Sequence, residues 1–316
     1  MGLPARRRSR WYPPMNVTKL PTGASTRVKS LSEGPDRRLW ALTYDDALLV
    51  SADGAHTWSS RAAPPTRATE AVHAAEDGSL WLCADGVAHE SRDDGVSWIT
   101  HARPAFRGLT EVFAARGAVL LSGARLLRRA SGKATWPAVK DVVGAVARIQ
   151  RAADGKLFAT ANSAGTAAVV CSDDDGASWR TLLSAGGKRA TALSVTGGTL
   201  YVALYDLASL GSPTSCGLRS RDQGATWEEM PLGVHPQQEL RRLCARGERV
   251  YGFAFETYVR SESRLVLPVI TRSLDGGARW EALPLKSDTF AWAMTLTAAG
   301  ELLVSAEEGC LWRVDD

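Results

Sequence analysis

The sequence predicts an all-β ring: a seven-bladed β-propeller of four-stranded antiparallel blades, closed by N- and C-terminal strands that share one blade. Three observations predict it. One eight-residue turn returns five times along the 316 residues. Apolar, strand-like runs accompany the turns at a matching spacing. The two chain ends read as halves of one further unit. A repeat of 40 to 50 residues is the signature of a ring or a solenoid.

The turn occurs as "SADGAHTW" from Ser51, "SRDDGVSW" from Ser91, "SDDDGASW" from Ser172, "SRDQGATW" from Ser220 and "SLDGGARW" from Ser273. The serines step by 40, 81, 48 and 53 residues. The step of 81 is a double one, and a worn copy, "RASGKATW", ends at Trp136 near its middle. The shared pattern is Ser-x-Asp-x-Gly-x-Thr-Trp. Ser97, Ser178 and Arg279 replace the Thr, and Ala55 replaces one Gly. This is hairpin chemistry. The side chains of Ser and Asp accept hydrogen bonds from the turn's own N–H groups. Gly supplies a backbone conformation that a Cβ opposes. Trp then opens the next strand with a large surface to bury. Fifteen residues are therefore assigned to the scaffold: Ser51, Asp53, Trp58, Ser91, Asp93, Trp98, Ser172, Asp174, Trp179, Ser220, Asp222, Trp227, Ser273, Asp275 and Trp280.

The strand runs are "RLWALTY", "SLWLCAD", "AVLLSG", "KLFATA", "TLYVALY", "RVYGFAF" and "ELLVSA". Each is preceded by another run, such as "TEAVHAAE" or "ARIQRAA". Each is followed by a strand leading into the turn and by one starting at its Trp. Four short strands per unit, with turn signals at each joint, read as a propeller blade. Seven blades is the count; six and eight are the alternatives. The last unit stops at "CLWRVDD", and the chain begins with "RWYPPM", which looks like the strand that follows each turn. Strand 309–314 is thus expected beside strand 10–15. Trp11 would take the Trp position and Asp315 the Asp position of a further turn. Such a clasp removes two open edges. The assignment is a basic tail over 1–10 and a single propeller domain over 11–316.

The pattern resembles the Asp-box, or BNR, repeat of sialidases, sorting-receptor propellers and the photosystem II assembly factor family. The last of these is itself seven-bladed and is the most similar in architecture. The resemblance implies that the box aspartates sit on hairpins between third and fourth strands, at the rim and away from the ligand face. They are therefore not read as catalytic. "SDDDG" at 172–176 lacks the bidentate Glu and full spacing of a calcium loop. No cofactor and no metal is expected.

The net charge is +4, and part of it sits in "ARRRSR" at 5–10. The nearly neutral body argues against nucleic acid as a partner. No apolar run reaches the roughly 18 residues of a membrane helix, and the N-terminus does not read as a secretory signal. Five cysteines without a CxxC pair read as buried thiols in a reducing compartment, and a cytoplasmic location is expected.

By analogy with other propellers, ligands meet the face opposite the box turns. Two stretches there are long, 205–220 and 256–271, and extra length on a scaffold is where function is placed. The second carries Tyr258, Arg260 and Arg264; it reads either as a partner-binding hairpin or as two longer strands that pair with each other. The loops between blades bring Arg27, Glu70, Glu111, Arg148, Arg189, Glu239, Arg241, Lys286 and Asp288 toward the channel. Arginines around one mouth suit a carboxylate or phosphate. The candidate ligand- or partner-binding residues are Arg27, Arg148, Arg189, Arg241, Tyr205, Tyr258, Arg260 and Arg264. A sialidase needs three arginines, a Tyr activated by a Glu, and an acid Asp; no such Tyr can be assigned and no Arg-Ile-Pro motif is found. The five histidines are scattered without ligand spacing. The expected function is a non-catalytic binding or assembly platform for protein, or for glycan. The alternative is a sialidase-type glycoside hydrolase or lectin.

Overall fold

The computed structural model describes residues 16–64, 69–84, 86–101, 109–206, 214–234, 238–260, 263–284 and 293–315; at 16, 69, 109, 255–260, 263–268, 283–284, 306–307 and 315 it describes the backbone alone. Seven antiparallel sheets form a ring. Blade 1 holds strands Val28–Glu33, Leu39–Thr43, Leu48–Ser51 and Ser59–Arg61. Blade 2 holds Thr69–Ala74, Leu80–Ala84, Val87–Ser91 and Ile99–Thr100. Blade 3 holds Leu109–Ala114, Ala118–Gly123 and Leu127–Ala130. Blade 4 holds Ala145–Arg151, Leu157–Ser163, Thr166–Ser172 and Arg180–Gly186. Blade 5 holds Lys188–Thr196, Thr199–Asp206, Ser215–Ser220 and Glu228–Met230. Blade 6 holds Glu239–Arg246, Arg249–Arg260, Ser263–Ser273 and Glu281–Pro284. Blade 7 combines Met294–Leu296, Leu302–Glu307 and Cys310–Asp315 with Asn16–Pro21 from the other end of the chain.

The second strand of each blade is a continuous apolar run because both of its faces are covered. In blade 1, Leu39 and Ala41 pack toward blade 7, while Trp40 and Leu42 pack toward blade 2. Period-2 alternation thus sends one strand into two different interfaces. The seven hydrophobic clusters lie between consecutive blades, one at each interface. First strands contact one another around the axis. Polar side chains stitch that inner ring: the N–H of Val72 and of Ala74 donate to Ser30 and Ser32 (3.2 and 2.9 Å), Thr191 donates to the carbonyl of Leu240 (2.6 Å), and Ser305 donates to that of Val28 (2.6 Å).

The five box turns share one hydrogen-bond circuit. Ser51 donates to Asp53 (2.9 Å) and accepts from the N–H of Ala55 (3.0 Å); Asp53 accepts from the N–H and the hydroxyl of Thr57 (2.9 and 2.6 Å). The same circuit recurs at Asp93, Asp174 and Asp222. At Asp275 the missing hydroxyl is replaced by the guanidinium of Arg279 at 3.6 Å. The fourth and fifth positions of each box both have positive φ, as in Asp175 (53°) and Gly176 (80°). Ala55 carries this strain without being Gly, at φ 71°.

Each box Trp packs into the interface with the preceding blade. Their equivalence follows the sequence; their burial is less than the sequence suggests. Trp179 is buried, at 7% exposure, while Trp58, Trp98, Trp227 and Trp280 are half-buried. Each Trp stands one residue before the outer strand, not in it, where its ring reaches the neighbouring blade. The indole N–H of Trp58, Trp179 and Trp280 turns back to the carbonyl at the fifth box position, at 3.0 to 3.2 Å.

The ring closes through the chain ends, but six residues further along than expected. Asn16–Pro21, not 10–15, pairs with Cys310–Asp315, and Leu20 faces Leu311. Asp315 lies in this ladder opposite Asn16 and not in a box turn. Trp11 lies outside the described residues. Blade 3 is a second departure, with three strands in place of four. Where its box is worn, the outer strand is reduced to an isolated bridge, Leu127 to Ala138, and to bonds from Arg128 to Pro137 and from Val139 to Leu126.

None of the five cysteines is in a disulfide. Burial pushes Cys83 and Cys244 up to about 12. No helix is long and apolar enough to cross a membrane among the described residues. Nor does any group of three His, Cys, Asp or Glu side chains gather there as metal ligands would.

Candidate functional site

The innermost strands of six blades each break register near their start: between Val28 and Ser30, Thr69 and Ala71, Leu109 and Glu111, Ala147 and Gln150, Ala190 and Ala192, and Leu240 and Arg242. A bulge adds an unpaired residue and re-aims its side chain. The starts of these strands lie at the end of the ring opposite the box turns. A ring of bulges therefore surrounds that mouth of the channel, and Arg148 and Arg241 are two of its members.

Arg148 has φ of 57°, a left-handed conformation that costs a non-glycine residue about 1 kcal/mol or more. What holds it there is Glu111 of the preceding blade. The N–H groups of Arg148 and Ile149 both donate to that carboxylate, and Ser122 donates to it at 3.4 Å. Burial pushes the Glu111 carboxyl upward, against the pull of the Arg148 charge and the two N–H donors.

Beside it, Glu239 is clamped between two arginines. Arg189 donates to one carboxylate oxygen, and Arg241 lies 2.8 Å from the other. The Glu239 side chain is 10% exposed, whereas those of Arg189 and Arg241 are 38% and 40% exposed. Arg189 also lies over the ring of Tyr205 at 5.8 Å, its direct partner across the first two strands of blade 5. Burial raises the Tyr205 hydroxyl above its usual value. Burial lowers Arg241, and the charges of Arg189 and Arg148 press the same way. Three guanidinium groups thus oppose one another around two carboxylates, one of which burial drives toward its neutral form. The excess is positive. Nε of Arg148 and Nε of Arg189 are buried donors without a hydrogen-bond partner. An arrangement of this kind offers an anion charge-assisted hydrogen bonds in a part-desolvated setting.

The structure brings together Arg148, Arg189, Arg241 and Tyr205 of the residues singled out in the sequence. Arg27 stands apart, 3.9 Å from Glu308 of blade 7 and bonded through its carbonyl to the N–H of Tyr44. Tyr258, Arg260 and Arg264 lie on the long hairpin of blade 6, where Tyr258 faces Leu265, Arg264 faces Val259 and Arg260 faces Ser263; the two long strands do pair with each other. Their side chains, like Lys286, Asp288 and the whole of 207–213, lie outside the described residues. Glu111 and Glu239 carry more of the geometry than the sequence suggests. Their signal was position: each stands at the start of an innermost strand, within two residues of a bulge.

Four of the five box aspartates are kept ionised near neutral pH by their own turns. Both oxygens of Asp53, Asp93, Asp174 and Asp222 are engaged, and all four are held down to about 2, chiefly by those hydrogen bonds at Asp53, Asp93 and Asp222, and at Asp174 by the same bonds against burial.

No family model matches the chain, and no curated protein matches its sequence. Solved structures match its fold. The structure of YCF48 bound to D1 peptide aligns over 96% of this chain and 98% of its own, with a TM-score of 0.69 and 16% identity. YCF48 from Cyanidioschyzon merolae aligns over 94% and 98%, with a TM-score of 0.66 and 14% identity. A catalytically inactive virginiamycin B lyase from Staphylococcus aureus aligns over 96% and 100%, with a TM-score of 0.71 and 11% identity. At these identities the likeness is one of fold: the chain shares the seven-bladed β-propeller with proteins of different activities.

Proposed function

We propose that the protein is a binding platform whose channel mouth captures a carboxylate-bearing segment of a protein partner. One observation carries the reading: Arg189 and Arg241 grip Glu239 from both sides while Arg148 stands near enough to oppose them. A site with three guanidinium groups around two internal carboxylates, one of them pushed toward its neutral form, accepts a further carboxylate from outside. YCF48 with its bound D1 peptide is a propeller of this fold that takes a peptide, which makes a peptide the reasonable ligand class to test first. The glycan-acting alternative is supported only by fold, through propellers such as a xyloglucanase of which this chain spans about half.

The test is a panel of immobilised heptapeptides of acidic, neutral and basic composition, probed with the full chain. Selective retention on acidic peptides, lost in Arg241→Gln, supports the reading. Equal retention on all three, or acidic retention untouched by the substitution, removes the mouth as the site.

A further inference from the structure

Blade 3 differs from its neighbours where its box has worn away, and cavities lie against that stretch on both sides. In box register Arg129 takes the place of the serine and Lys133 that of the glycine. The serine hydroxyl of an intact box folds into its own turn. The Arg129 guanidinium reaches instead toward blade 2. It lies between the rings of Trp81 and Trp136, at 5.4 and 5.2 Å. One terminal nitrogen donates to Nδ1 of His101 at 2.7 Å. The other stands 3.9 Å from Glu90, beyond hydrogen-bond reach.

The protonation of His101 follows from its partners. A guanidinium has no acceptor, so Nδ1 accepts and Nε2 carries the hydrogen, donating to Glu90 at 2.9 Å. Burial, then the Arg129 charge, hold this imidazole below its ordinary value, so it is neutral near pH 7. His101 also stacks on Trp81, with ring centres 5.1 Å apart. Glu90 is 4% exposed and is already bound to Arg92 at 2.6 Å. The charge count is then uneven. Around the two cavities that Arg129 lines, Arg92, Arg116, Arg129 and Lys133 stand against two carboxylates, Glu90 and Asp77. Lys133 is exposed and makes no ion pair among the described residues. Two buried donors on this stretch, Nε of Arg129 and Nε1 of Trp136, have no hydrogen-bond partner. Where Arg129 and Lys133 converge, a cavity of about 350 Å³ opens, lined also by Thr100, His101, Gly132 and Ala134.

We propose that this groove between blades 2 and 3 is a second binding site, for a carboxylate, held by Arg129 and Lys133. The cavity suits a small free acid or one acidic side chain of a peptide. Its lining includes none of Arg148, Arg189, Arg241 and Glu239, so it stands or falls separately from the reading given above. Arg129 is held rigid by two rings and a histidine, so little rotamer entropy is lost when it binds. Lys133 supplies a second charge from the worn turn.

Trp81 and Trp136 report on the site directly. Succinate, and a blocked tripeptide with one Asp, are titrated into the full chain at constant ionic strength, with tryptophan fluorescence as readout and sodium chloride as the control. The expected result is a saturable change with one or both probes, and the probe that saturates identifies free acid or side chain. Lys133→Ala is expected to weaken it about tenfold without moving the melting temperature, since it removes one charge-assisted contact. Arg129→Gln is expected to abolish it, and Glu90→Gln to strengthen it by removing a competing carboxylate. A chloride curve like that of the probes would overturn the proposal. So would saturation by inorganic phosphate alone, or a Lys133→Ala variant that binds as the unaltered protein does.

Discussion

Leu20 and Leu311 face each other across the seam that closes the ring, one near the beginning of the described chain and the other near its end. Both are buried, at 5% and 0% exposure, in the cluster that joins blade 7 to blade 1. Leu20→Ala is expected to cost about 2 to 5 kcal/mol, the range for a buried leucine whose surroundings relax only partly. Removing residues 1–21 is expected to lower the melting temperature by more than that single substitution, because the whole outer strand of blade 7 goes with it. Calorimetry of the two variants checks this. An unchanged melt after the truncation would contradict a ring closed by this strand.

The seam also shows what a sequence can and cannot reveal. The five box turns, the seven apolar second strands and the blade count are legible, because each depends on a side-chain pattern that recurs at a regular spacing. Outer strands are different. Ser59–Arg61 and Ile99–Thr100 are mostly exposed and are held by backbone pairing, which any residue can supply. Hence the sequence points to "RWYPPM", while the strand that pairs with Cys310–Asp315 is "NVTKLP". The bulge at Arg148 is invisible for a related reason, since a left-handed arginine has no sequence mark. The Glu90–His101–Arg129 group was hidden by distance along the chain. A trace existed all the same: Glu90 is the one carboxylate among the residues that precede the five box serines, which are otherwise Val50, Cys171, Arg219 and Arg272, and Arg129 replaces such a serine outright.

A box glycine is required by two constraints at once. At Gly176 the backbone has φ of 80°, and an added Cβ would lie 2.8 Å from Leu120 of blade 3. Gly176→Ala is therefore expected to cost about 2 kcal/mol or more, from backbone strain plus the displaced leucine. Ala55→Gly works in the opposite sense. It relieves strain at φ 71° but loses a buried methyl, two effects of about 1 kcal/mol each, so the net change is expected to be small. Denaturant titrations of both variants separate them. A Gly176→Ala protein as stable as the parent would show that the turn yields.

Among the box tryptophans the cost of truncation is expected to follow burial. Trp179→Ala, at 7% exposure and in contact with the cluster between blades 3 and 4, should lose about 3 to 5 kcal/mol. Trp98→Ala should lose clearly less, since its ring is half-buried and its N–H bonds to the carbonyl of Ala62 at the rim. Equal losses would mean that the turn, not the packing, sets the value.

Acid should loosen the boxes in a defined window. Asp53, Asp93, Asp174 and Asp222 titrate at about 2 in the fold, against about 3.9 in an unfolded chain. Their folded values are depressed, so their contribution is complete above about pH 4 and is lost as the pH falls through about 2. The melting temperature is expected to drop across that window, and Asp222→Asn should make the drop shallower. A slope identical in the variant and the parent would show that these carboxylates do not govern it.

The most direct measurement of the central claim is the affinity of one fluorescent acidic heptapeptide for the full chain, read by anisotropy, in the parent and in the double variant Arg148→Gln, Arg241→Gln. Each lost guanidinium removes a charge-assisted contact, so the dissociation constant is expected to rise about a hundredfold in the double variant. The same peptide with its carboxylates converted to amides should bind neither protein. A dissociation constant that is the same in parent and double variant would contradict a carboxylate-binding channel mouth.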